Sequence, residues 1–119
     1  MAFPANFNIN YYKGDTYEFR IYPKDASGAV FNLETFTSVA FTINTVAGPT
    51  SDLPINGFAQ IADDGTYIQC AILPGNGAMM DATKTYVYDV EVSKTSSPYD
   101  LVFTLLKGTI TITDQVTGA

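Results

Sequence analysis

The stretch from Thr85 to Ile112 constrains the fold more than any other, because apolar and polar residues alternate along it with a period of two. From Thr85 to Val92, Tyr86, Tyr88, Val90 and Val92 share one side, while Val87, Asp89 and Glu91 share the other, as in a half-buried strand. Leu101, Phe103 and Leu105 repeat the pattern after SKTSSPYD, whose Ser, Pro and Asp suit a hairpin loop. Lys107-Gly108 then breaks the run, and Ile110 and Ile112 open a further strand. The stretch therefore predicts three consecutive antiparallel strands, and the upstream chain is expected to cover their apolar face.

Upstream, the same logic predicts strands at Asn8 to Tyr12, Thr16 to Tyr22 (Tyr17, Phe19 and Ile21 alternating with Glu18, Arg20 and Tyr22) and around Val39, Phe41 and Ile43. Asp63-Asp64-Gly65 lies between two apolar runs as a hairpin turn, with Ile68, Cys70 and Ile72 sharing one face after it. Residues 45–57, rich in Gly and Pro and without period, predict a long loop. Ala78 to Ala82 is expected to form at most one helical turn. About seven or eight short strands with regular turn signals and no long helix predict an all-β fold, a β-sandwich with a small barrel as the alternative. A chain of 119 residues makes one domain, read as an arm over 1–7, the sandwich over 8–117 and a tail over 118–119.

The chain has no His and a single Cys, which removes the usual proton relay and the zinc ligand sets. Its acidic residues fall in turns (Asp15, Asp25, Asp63, Asp64) or at outward strand positions (Glu18, Asp89, Glu91), where solvation explains them without catalysis. Asp63-Asp64-Gly65 lacks calcium-loop spacing, and the glycines form no phosphate cradle. No catalytic residue, metal ligand or cofactor is expected. A net charge of −6 with no basic cluster argues against nucleic acid, and no apolar run reaches membrane-span length. Cys70 reads as a small buried hydrophobe. Exposed tyrosines such as Tyr12, Tyr22 and Tyr99 are candidates for stacking on a sugar or anchoring a protein contact.

Three groups of residues carry a resemblance: Gly14-Asp15-Thr16 entering a strand, the Tyr-x-Tyr-Asp segment within Thr85 to Asp89, and Leu105 to Gly108 followed by an alternating strand and Val116-Thr117. Over about Asn8 to Thr117 the chain resembles the immunoglobulin-like antiparallel β-sandwich domain of phage structural proteins, best known as the N-terminal domain of baseplate upper proteins. The resemblance implies a non-enzymatic virion protein of the tail, baseplate or neck, made in the host cytoplasm. Its expected partners are other virion structural proteins and copies of itself, as a homo-oligomer on the particle. Longer members carry a further module, and none follows here, which favours a stand-alone building block. A capsid decoration or cement protein and a carbohydrate-binding sandwich module are the alternatives. Contacts are expected in Met1 to Phe7, the 45–57 loop and Asp114 to Ala119, with Phe3, Pro4, Phe7, Pro49, Leu53, Pro54 and Val116 as candidate interface residues.

Overall fold

The computed structural model describes residues 5–45 and 54–113. Among these, nine strands and one helical turn follow in the order β1 (Ala5–Asn6), β2 (Ile9–Tyr12), β3 (Tyr17–Ile21), β4 (Ser38–Asn44), β5 (Ile55–Asn56), β6 (Phe58–Ile61), β7 (Ile68–Ile72), α1 (Pro74–Gly77), β8 (Thr85–Lys94) and β9 (Leu101–Thr113). They build two sheets. The larger runs β1-β9-β8-β4-β5 with β2 also paired to β9, and the smaller runs β3-β7-β6. The domain is an all-β sandwich whose two sheets close over one core.

The alternation read from the sequence decides what is buried. Phe41 and Ile43 from β4, Tyr86, Tyr88, Val90 and Val92 from β8, and Ile110 and Ile112 from β9 face Ile21, Ile68, Cys70 and Ile72 of the smaller sheet. Each such aliphatic or aromatic side chain removed from water contributes roughly 1.5–3 kcal/mol before entropy is charged against it. Phe31, Phe36 and Phe103 close one end, with Phe31 centred 5.7 Å from each of the other two rings.

Lys107-Gly108 is not a turn: Leu101–Thr113 is one strand of 13 residues. The inward positions do change from odd (Leu101, Phe103) to even (Leu106, Ile110, Ile112), as a break there would require. A β-bulge makes the change instead. Val90 pairs with Leu106 and Glu91 with Thr104, so Leu105 is the extra residue, and both leucines are buried. Gly108 stays in the ladder opposite Tyr88, and its missing side chain lets the Phe7 carbonyl pass where a Cβ would stand.

Two further readings change. Within the expected 45–57 loop, Ile55–Asn56 form β5 against Thr42 and Ile43, because Ile55 has an apolar face to bury. The helical turn lies at Pro74–Gly77 rather than Ala78 to Ala82, since Pro74 supplies a preset φ at its first position. Asn76 fastens it, its side chain accepting from Leu73 N at 2.8 Å and donating to Asn56 O at 3.0 Å.

The N-terminal strands depart from a purely antiparallel scheme. β1 and β2 both run parallel to β9, Ala5 beside Leu106 and Tyr12 beside Thr113. The part of the expected arm that is described, from Ala5 on, is therefore held by the domain itself. Phe7 N donates to Lys107 O at 2.9 Å, and the Tyr88 hydroxyl reaches out of the core to donate to the Phe7 carbonyl. Burial pushes the ionisation of Tyr88 well above its ordinary value, so this hydroxyl remains a donor at any ordinary pH.

Candidate interaction surfaces

With Tyr17, Phe19 and Ile21 turned inward, β3 presents Glu18, Arg20 and then Tyr22 to solvent. Register sets Glu18 beside Ala71, which lies beside Phe58, and Arg20 beside Gln69, which lies beside Gln60. Arg20 is held in place: its Nε donates to Gln69 Oε1 at 2.9 Å and its guanidinium lies 4.4 Å over the Tyr67 ring. Tyr22 packs 5.4 Å from the same ring. Among the described residues β3 is paired on one side only, so it forms an open edge of the smaller sheet. At the seam behind that edge Phe7, 41% exposed, sits 6.0 Å from the half-buried Phe19 ring.

The outer face of the larger sheet carries a second feature, a trough of about 350 Å³ lined by Thr42, Asn44, Val87, Asp89, Lys107 and Thr109 among others. Asp89 lies between Thr42 and Lys107 in one row of the sheet. Asn44 Oδ1 is buried with no hydrogen-bond partner among the described residues. Hydroxyls, two side-chain amides, one carboxylate and one ammonium are set into a lining that is otherwise mostly apolar.

Three turn carboxylates repeat one device. Asp25 accepts from Ser27, Asp64 from Thr66 and Asp81 from Thr83, in each case through both the hydroxyl and the backbone N–H. Asp64 thus serves its own hairpin, where Gly65 takes a φ of +71°. The hydroxyl bond first and the N–H bond second hold all three carboxyls below their ordinary value. Asp89 is shifted the other way, raised by partial loss of water on the sheet face, although its side chain remains exposed.

The signs then oppose. A carboxyl held low stabilises the fold above its unfolded pKa, a contribution lost as acid protonates it in the fold. One held high gains stability as falling pH protonates it. Urea titrations are expected to show wild-type stability rising relative to Asp89→Asn as the pH falls towards the ordinary value of 3.8, with both proteins losing stability on further acidification. Parallel curves through that window would mean that the carboxyl is fully hydrated.

Of the candidate interface residues, Phe3, Pro4, Pro49, Leu53 and Val116 lie outside the described residues. Phe7 and Pro54 are exposed, but the strand order places them at opposite edges of the larger sheet, and they form no common patch. Tyr12, Tyr22 and Tyr99 are exposed at 55%, 54% and 68% on three separate segments, and Tyr22 packs at a 40° tilt against Tyr67, so they form no flat tyrosine platform. Cys70 is fully buried and its thiol pushed up to about 12 by desolvation, so it packs as a hydrophobe. The Glu18/Arg20 edge was not singled out from sequence. Its signal was the charge alternation around Phe19, which also fits a plain solvated face. In comparisons with known proteins, no family model and no curated protein sequence matches the chain.

Proposed function

We propose that this protein is a non-enzymatic structural protein of a phage virion, built on an immunoglobulin-like sandwich and acting through protein–protein contacts in the tail, baseplate or neck. The observation that carries this reading is the strand order, taken with the place of the resembling residues in it. A first strand lying parallel to the last, and a second sheet of β3, β7 and β6, suit the immunoglobulin-like pattern. Resembling residues among those described help hold these elements together; Val116-Thr117 lie outside the described residues. At Gly14-Asp15-Thr16, Gly14 turns with a φ of +93°. There the Tyr11 hydroxyl donates to Asp15 O at 2.7 Å and accepts from Gly14 N at 3.2 Å. In the Tyr-x-Tyr-Asp segment, Tyr86 accepts from Asp81 N, and Tyr88 fastens Phe7. Such a chain concentrates its special residues on a rigid body and leaves strand edges and loops to meet neighbours.

Quantitative mass spectrometry of purified particles tests the reading. Many copies per particle are expected, and their distribution between separated heads and tails would distinguish a tail component from a capsid decoration protein. Absence from particles would overturn it. The carbohydrate-binding alternative is favoured by one observation, the trough with polar groups in a mostly apolar lining, where the Asn44 acceptor has no partner among the described residues.

A further inference from the structure

The open edge of β3 has a charge order that is complementary to itself. Glu18 and Arg20 flank Phe19 on the solvent face, with opposite signs two residues apart. In an antiparallel pair of identical strands centred on Phe19, Glu18 of one copy stands directly opposite Arg20 of the other, and the relation repeats across the twofold axis. On the inner face Phe19 meets Phe19, and Tyr17 meets Ile21. Register is fixed as well as permitted. Slipping by two residues, the smallest slip that keeps each side chain on its face, sets Glu18 against Glu18 in one direction and Arg20 against Arg20 in the other.

We propose that β3 pairs with β3 of a second copy in this register, joining two three-stranded sheets into one of six strands, ordered β6-β7-β3-β3-β7-β6. Two observations support this occupant. β3 contains neither Pro nor Gly, so all its backbone groups can enter a ladder. The apolar seam of Phe7, Tyr17 and Phe19 is half open in one copy, so a strand added at this edge has apolar surface to cover. The other edge of the smaller sheet, β6, also paired on one side only among the described residues, reads FAQI and has no charge with which to set a register.

This pairing deepens the assembly reading and rests on its self-association. Light scattering on the full chain across a concentration series is expected to show twice the mass of one chain at high concentration. Glu18→Arg and Arg20→Glu, each alone, turn two attractions into two repulsions and are expected to weaken the dimer about tenfold or more. The double variant E18R/R20E restores opposite pairs and is expected to return the dissociation constant to near the wild-type value. Glu18→Arg leaves the Arg20 contacts to Gln69 and Tyr67 in place, so it reads the edge even if Arg20→Glu disturbs the sheet.

A monomer at every concentration would overturn the pairing and mean that Glu18 and Arg20 guard the edge. A dimer indifferent to the single swaps would overturn it in favour of another surface. A monomer abundant in particles removes the edge pairing and leaves the assembly reading standing. A charge-sensitive dimer absent from particles does the reverse.

Discussion

Phe41→Ala is expected to remove about 3–5 kcal/mol of folding stability, measured by chemical denaturation. The ring is 1% exposed and lies at the centre of the sandwich, 5.5 Å from the Phe19 and Tyr88 rings in edge-on geometry. Gly57 closes the remaining side, where a Cβ would stand 2.5 Å from Phe41 Cδ2. Backbone on one side and aromatic rings from both sheets on the other leave little room for collapse, which places the cost towards the upper part of the range. A loss below about 1 kcal/mol would mean that Phe41 is not in the core.

Gly108→Ala is the second large effect. A methyl group there meets the Phe7 carbonyl, which must move, and with it the N–H···O bond from Phe7 to Lys107 and the hydroxyl bond from Tyr88. The expected cost is about 1–3 kcal/mol, as for other overpacked positions, with faster amide exchange at Phe7 and along β2. Tyr88→Phe removes the same hydroxyl bond without the steric clash. Unchanged exchange in Gly108→Ala would show that β1 and β2 are not seated against β9.

The strands were legible where one face is apolar and the other polar. Phe41 and Ile43, Ile68 to Ile72 and Tyr86 to Val92 occupy the faces that their alternation assigns. What failed were events that leave the same trace as something else. A change of parity between Leu105 and Ile110 is produced equally by a turn or by a bulge, and glycine suits both, so only the pairing partner distinguishes them. β5 is two residues long, too short for any period to register. The parallel seating of β1 and β2 on β9 depends on partners about 100 positions away, which no local pattern encodes. The surfaces were less legible still, because edge position is a property of topology. Glu18 and Arg20 read as solvated charges until β3 is known to end a sheet.

The parallel seating of the N-terminal strands also has a mechanical consequence. The start of β1 lies beside Leu106 and the end of β9 beside Tyr12, so the two points are separated by seven residue rises, about 23 Å, along one ladder. Tension applied between them pulls β1 and β2 along β9 in opposite senses, which loads six paired positions in shear together. A hairpin pulled from its open end yields one bond at a time, whereas this arrangement must yield as a unit, so its resistance to force is set by an unfolding barrier rather than by equilibrium stability.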